Sequence, residues 1–520
     1  MLKSVVLVLC AIAVSLPRAT AAQPAVPTTG GPVQGVPAAD GAITSYKGIP
    51  YAAAPVGDRR WRAPEPPAAW TTVRHADRFG SSCMQTIVEE RKPWTYEFMA
   101  HNAVSEDCLF LNVWTPAKTP DARRPVFFWI HGGGNVEGSA AVPIYDGEAL
   151  ARRGVVVVTI NYRLGVFGFL AHPELTQEAG RSGNYGSLDQ LAALQWVRVN
   201  IAAFGGDPGN VTIAGQSAGA SGVHHLVASP LAKGLFHRAI AESGSAYASA
   251  NPMARLTEAE TNGLAFAKAK GAATLHDLRA MPAEALMARA GEPPTPPFRP
   301  LVDGHFLPAD PIAIYARGEQ NDVPELTGLT MDEASSGRDY GTVPMATYQQ
   351  TAHERYAILA PAFFAVYPND TQERSGQSQK AAARDGGLVS MHLWAAHRAK
   401  TARHAAFTYY WTHPMPGPDS ARYGAFHTSE VPYVFNTLGQ SQRPWQDADR
   451  RLADLAGAYW VNFIKTGDPN GAGLPRWAPF AAGSAMTMEL GEKPGPRPVG
   501  RPEVLEFWRS YLLRPSAGTR

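Results

Sequence analysis

Phe204 to Ala220 reads FGGDPGNVTIAGQSAGA, and within it Gly215-Gln216-Ser217-Ala218-Gly219 spells G-x-S-x-G. The pentapeptide follows a short apolar run, Val211-Thr212-Ile213, and precedes small residues able to open a helix. This is the setting of a nucleophile elbow, a tight strand-to-helix turn that lifts a serine hydroxyl out of a sheet. A serine is a poor nucleophile at neutral pH; it needs a base, an acid that orients the base, and donors for the developing oxyanion. The donors have a source in His131-Gly132-Gly133-Gly134, directly after the apolar run Val126–Ile130. Three glycines let backbone N–H groups approach a substrate oxygen, and with the N–H of Ala218 they would form a three-donor hole. Loss of one such donor costs roughly 100- to 1,000-fold in rate. The base cannot be chosen by spacing, because the chain has 15 histidines. In this kind of site the acid and then the histidine follow the serine in chain order.

The elements that would hold these residues alternate between strand and helix. Val126–Ile130 and Val155–Ile160 are continuous apolar runs, as expected of strands buried on both faces. Leu191, Leu194, Val197 and Ile201 recur at three- and four-residue steps after Asp189 and predict an amphipathic helix. Arg238–Glu242 and Ala406–Trp411 are further strand candidates. Such alternation implies a mostly parallel central sheet with helices on both faces, and chemistry at the carboxyl ends of the strands, where Ser217 falls.

Composition narrows the function classes. Met1–Ala22 has one early lysine, an apolar stretch from Ser4 to Leu16 and an Ala-Thr-Ala signal, and reads as a signal peptide cleaved near Ala21 or Ala22. The expected location is secreted or periplasmic, with no stable membrane anchor. Once Lys3 and Arg18 are removed with it, basic and acidic residues balance. A neutral protein offers no electrostatic case for nucleic acid as a partner. The Pro-rich stretch Gly291–Pro300 reads as a surface loop. Of three cysteines, Cys83 and Cys108 remain, and in an oxidising compartment they most simply pair. That closure is worth roughly 3–4 kcal/mol in the chain-entropy model. Two sulfurs without a nearby histidine cluster argue against a metal site.

Further stretches carry a resemblance. YKGIPYAAAPVG (Tyr46–Gly57), SEDCLFLN (Ser105–Asn112), GNYGSLDQ (Gly183–Gln190), the FGGDPGNVT run, SPLAKGLFHRAIAESG (Ser229–Gly244) and the tail from Tyr459 to Trp477 occur in order along the chain. Together they resemble the type-B carboxylesterase family of the α/β-hydrolase fold, the family of the cholinesterases. The resemblance implies one α/β-hydrolase domain over residues 23–520, and a serine carboxylic-ester hydrolase working through an acyl-enzyme on a small-molecule ester, without metal or organic cofactor. In GLTMDE (Gly328–Glu333) it assigns the acid to Glu333, although Asp332 could equally accept an imidazole N–H. In GAFHTSEVPYVF (Gly424–Phe435) it assigns the base to His427. The oxyanion donors fall on Gly133, Gly134 and Ala218, the Cys83–Cys108 pairing recurs, and Ser243 resembles a buried serine that supports the triad.

Two positions depart from the family pattern. Gln216 stands where glutamate commonly precedes the nucleophile, which argues against a choline-ester specialist and for neutral or acid-bearing esters. Asn135 follows the glycines where many relatives have an apolar residue, and either hydrogen-bonds substrate or caps the turn. Trp94, Tyr96 and Phe98 in the Cys83–Cys108 loop either line the pocket or anchor the loop, and Thr330–Tyr340 is expected to shape the acyl side. Short-chain, aryl, plant phenolic and tricarballylic mycotoxin esters are all compatible substrates. The competing readings are a non-catalytic adhesion protein on this fold, disfavoured by the retained Ser217, Glu333 and His427, and an interfacial lipase, which a long apolar lid would favour.

Overall fold

The computed structural model describes residues 24–244, 253–288 and 298–514. The expected signal peptide and most of the Pro-rich loop lie outside these residues. Eleven strands form one sheet: β1 (Val36–Pro37), β2 (Thr44–Pro50), β3 (Phe110–Thr115), β4 (Arg124–Ile130), β5 (Val156–Ile160), β6 (Gly206–Gln216), β7 (Arg238–Glu242), β8 (Glu325–Thr330), β9 (Ala406–Trp411), β10 (Met486–Leu490) and β11 (Gly495–Pro498). Their spatial order is β11-β10-β9-β8-β7-β6-β4-β5-β3-β2-β1. From β5 across to β10 neighbouring strands run parallel, and the strands at both edges are antiparallel. This is the α/β-hydrolase fold, with the parallel sheet and helical cover that the alternating pattern predicts.

The apolar runs of β4 and β5 serve two cores at once, because side chains alternate across a strand. Val126, Phe128, Ile130, Val156, Val158 and Ile160 face one core, shared with Leu191, Leu194 and Val197 of α1 (Tyr185–Asn200) and Val223 of α2 (Ala218–Ala228). Phe127, Trp129 and Val157 face the other, against Ala456, Trp460 and Phe463 of α3 (Asp447–Thr466). The predicted helix is α1, except that Ile201 falls in the 3-10 turn that follows it. The strand that leads to Ser217 is longer than the Val211–Ile213 apolar run. Gly206 pairs with Arg124 of β4, and an irregularity lets Asp207–Asn210 bulge before the ladder resumes at Val211.

Cys83 and Cys108 form a disulfide. Among the described residues, no helix is long and apolar enough to cross a membrane.

Candidate active site

Ser217 sits between the end of β6 and the first turn of α2 with φ 58° and ψ −120°. A non-glycine residue there is strained, and the surrounding structure must hold it. Its N–H donates to the Glu242 carbonyl at the end of β7 (2.9 Å), and its carbonyl accepts the Ser221 N–H (3.0 Å). The turn also needs close backbone approach: a methyl at Gly219 would lie 2.0 Å from the Ile130 carbonyl oxygen. Ala218 opens α2, so its N–H has no acceptor within the helix.

The glycine loop lies directly beside Ser217. A methyl at Gly132 would approach the Cβ of Ser217 to 3.0 Å. Gly133 has φ +102°, and a Cβ on it would come within 2.0 Å of the Glu137 carbonyl oxygen; that residue's N–H donates back to the Gly133 carbonyl (3.1 Å). His131 anchors the loop. Its ring stacks on Tyr162 at 4.6 Å, Nδ1 lies 2.8 Å from the Gly132 carbonyl oxygen, and burial lowers its pKa to about 4, so it stays neutral near pH 7.

The remaining members come from distant segments. Glu333 follows β8, and its Oε2 meets Nδ1 of His427 while its Oε1 accepts the Thr330 N–H (2.8 Å). Burial opposes the Glu333 charge, but the adjacent imidazole and hydrogen bonds from His427 and the Thr330 N–H outweigh it, so its pKa lies below the usual carboxylate range. Burial likewise opposes a charged His427, and the Glu333 carboxylate together with Glu430 reverses that, leaving the histidine pKa raised. The other ring nitrogen, Nε2, lies 3.2 Å from the side-chain nitrogen of Gln216.

Asp332, the second carboxylate of GLTMDE, has different partners. It accepts from Tyr340 Oη (2.9 Å), Arg384 Nη2 (2.5 Å) and the Ala425 N–H (3.1 Å). Its own N–H donates to the Ala425 carbonyl (2.9 Å). It therefore splices the loop carrying His427 to the strand end carrying Glu333. Trp94 ties the same loop from the other side: its indole N–H donates to the His427 carbonyl (3.0 Å), and its ring meets the His427 ring edge-on at 6.4 Å. Phe98 packs on Phe426, whereas Tyr96 is 60% exposed and stacks on His101. The alternating aromatics thus divide, with Trp94 and Phe98 turned inward and Tyr96 outward.

Ser217, Gln216, Gly133, Gly134, His427 and Trp94 line one cavity of about 360 Å³. Its charged wall residues are Arg91 and Glu137, which pair with each other. Asn135 is absent from this wall. It is buried with φ 62° and its carbonyl accepts the Gly165 N–H (2.7 Å), a turn role that asparagine tolerates well. A second cavity, of about 710 Å³, lies on the Glu333 side and is walled by Ser243, Glu333, Gly337, Tyr340 and Met391 among others, so part of Thr330–Tyr340 does face a chamber.

Two functional neighbours were not legible beforehand. Glu242, ending β7, and Glu430, three residues after His427, are both fully buried. Trp460 Nε1 donates to Glu242 (2.8 Å), and Ser243 Oγ donates to Glu430 (3.1 Å). Burial holds both pKa values well above the usual carboxylate range, and the Glu242 charge raises Glu430 further. The signal available was a charged residue closing an otherwise apolar strand, Arg238–Glu242. Among the described residues, no group of three or more histidine, cysteine, aspartate or glutamate side chains is gathered as a metal site.

Comparison with known proteins fits this geometry. The Carboxylesterase family matches residues 22–508. The chain is 38% identical over 486 residues to a fumonisin B1 esterase of Sphingopyxis macrogoltabida, covering 89% of this chain and 85% of that one. It is 37% identical over 447 residues to a para-nitrobenzyl esterase of Bacillus subtilis (82% and 87% covered). To a human cocaine esterase it is 33% identical over 509 residues (92% and 89%). With a serine elbow, a glycine loop and a carboxylate-bound histidine at one cavity, and esterases matching across nearly the whole length, this chain belongs to the carboxylesterase family and is a carboxylic-ester hydrolase.

Proposed function

We propose that the protein is a secreted serine carboxylesterase in which Ser217 is the nucleophile, His427 the general base and Glu333 the acid that orients it. The observation that carries this reading is the contact between Glu333 and Nδ1 of His427, with the same imidazole lining one cavity with Ser217. Nδ1 carries the proton shared with the carboxylate, so Nε2 is the basic nitrogen. As the Ser217 hydroxyl attacks the ester carbonyl, His427 takes its proton and Glu333 steadies the imidazolium. The N–H groups of Gly133, Gly134 and Ala218 receive the oxyanion. The tetrahedral intermediate collapses, the carbonyl–alkoxy bond breaks, and the alcohol leaves with the proton from His427. Water then repeats the sequence on the acyl-enzyme.

The relatives are named for different esters: fumonisin B1, para-nitrobenzyl and cocaine. Substrate preference therefore rests on the cavity. With Gln216 in place of a carboxylate and Arg91 neutralised by Glu137, that cavity is suited to neutral or acid-bearing esters. The chamber beside Glu333 is the candidate acyl side. Export through cleavage near Ala21 or Ala22 is supported by the Cys83–Cys108 disulfide, which persists in oxidising compartments.

The test is hydrolysis of p-nitrophenyl esters from acetate to palmitate by wild type and Ser217→Ala. Expected is a rate highest on short chains and a loss of about 10⁶-fold in kcat on substitution. Comparable turnover by Ser217→Ala would exclude this nucleophile, and a maximum at palmitate would favour the lipase reading.

A further inference from the structure

His427 sits between two partners of opposite character. Nδ1 faces the Glu333 carboxylate, which only accepts, so Nδ1 bears the hydrogen. The neutral ring then presents a lone pair at Nε2, and the group facing it at 3.2 Å is the side-chain amide nitrogen of Gln216. An amide nitrogen donates. Gln216 is 2% exposed, closes β6 and immediately precedes Ser217, so its side chain has little freedom. A Cβ at Gly132 would lie 3.0 Å from its Oε1, which places the amide oxygen beside the glycine loop and the nitrogen on the histidine.

We propose that Gln216 is a positioning residue for the base: its amide holds the Nε2 lone pair of neutral His427 until substrate aligns Ser217, and so favours the unprotonated ring. A carboxylate at 216 could only accept, and would favour the imidazolium instead. The inference rests on the reading of Ser217, His427 and Glu333 given above. Apart from the Glu333 hydrogen bond at Nδ1, the other groups near the ring act through charge or apolar contact. Glu333 comes from the end of β8, Glu430 from the histidine's own loop, and Glu242 from the end of β7, with its charge felt by Glu430. The Trp94 indole comes from the disulfide-closed loop, and Arg91 and Glu137 neutralise each other at the cavity wall. Glu333 is the carboxylate on the ring, while burial holds Glu430 and Glu242 well above the usual carboxylate range, so both stay protonated on the acid limb. Gln216 is the neutral donor at the other ring nitrogen from Glu333, and it keeps the base free further into acid than a carboxylate in its place would allow.

The experiment is the pH dependence of kcat/KM for p-nitrophenyl acetate, a neutral substrate, with wild type, Gln216→Glu and Gln216→Met. Wild type loses rate as pH falls through the histidine pKa. In Gln216→Glu that acid limb should move up by about one pH unit, a roughly tenfold further loss on the acid side at unchanged KM. Gln216→Met, which removes the donor without adding charge, should move it up by about half a unit. Equal Tm values establish folding, and if the glutamate variant does not fold the methionine variant carries the test. Acid limbs that coincide with wild type in the folded variants, or that move down, overturn the proposal. Ser217→Ala and His427→Ala separate the two failures. If both are inactive while the limb stays put, only the role of Gln216 falls. If His427→Ala keeps a wild-type profile, the assignment of the base falls.

Discussion

The two halves of the site are built by different means. The half around Ser217 consists of two short stretches, 131–134 and 215–219, at the ends of the adjacent parallel strands β4 and β6. Its geometry is a backbone property: Ser217 at φ 58°, Gly133 at φ +102°, and Gly219 packed so closely on Ile130 that no side chain fits. The half around His427 consists of segments near 94, 243, 333 and 427, joined by side-chain hydrogen bonds and ring contacts over long sequence separations. A backbone turn tolerates almost no substitution at its few fixed positions, whereas a network of side chains weakens by degrees. Damage to the first half should therefore be all-or-none, and damage to the second graded.

That contrast can be broken most severely at Gly219. Gly219→Ala forces a methyl against the Ile130 carbonyl, and the expected result is either insoluble protein or a folded enzyme with activity down at least 1,000-fold, read from kcat and Tm together. A Gly219→Ala enzyme within tenfold of wild type would show that the elbow relaxes after all.

A milder change sharpens the other half. Trp94→Phe keeps a ring beside His427 but removes the N–H that holds its carbonyl. One hydrogen bond of about 1 kcal/mol corresponds to a loss of roughly fivefold, expected in kcat with KM little changed. A loss as large as that of Gly219→Ala would remove the distinction.

The smallest effect should come from the buried carboxylates. Glu242 and Glu430 have folded pKa values above their unfolded ones, so the folded state holds more protons. Their contribution to stability is present below the unfolded pKa and is lost as pH rises through the folded values. Glu430→Gln should therefore flatten the decline of Tm between about pH 5 and 9, with a net gain at the alkaline end. A Tm profile parallel to wild type would show that Glu430 ionises without cost in the native protein.

The same division explains what could be read from the amino acids alone. Arg238–Glu242 and Ala406–Trp411 were legible to the residue, because the Ala-Ile-Ala centre of the first and the aromatic-rich run of the second suit strands buried on both faces. Gly206–Asn210 was not, since Asp-Pro-Gly reads as a turn and only the pairing of Gly206 with Arg124 makes it strand. The G-x-S-x-G and HGGG stretches announce themselves because backbone constraint is written in glycine. Glu430 does not, and Trp94 and Gln216, though singled out by type and position, do not show whom they meet. Their importance lies in which atom they meet across the fold: Trp94 a carbonyl, Gln216 a ring nitrogen, and Glu430 a serine hydroxyl. Of Asp332 and Glu333, only assembly separates the residue that splices two loops from the one that touches the imidazole.

The backbone of Ser217 has one more consequence. A residue held at φ 58° and ψ −120° is the first to gain when its surroundings loosen. Ester hydrolysis is then an early alarm for the whole molecule. Under heat or denaturant the enzyme should fall silent while its eleven-stranded sheet is still intact, so that activity reports on the tightness of packing before any spectroscopic sign of unfolding.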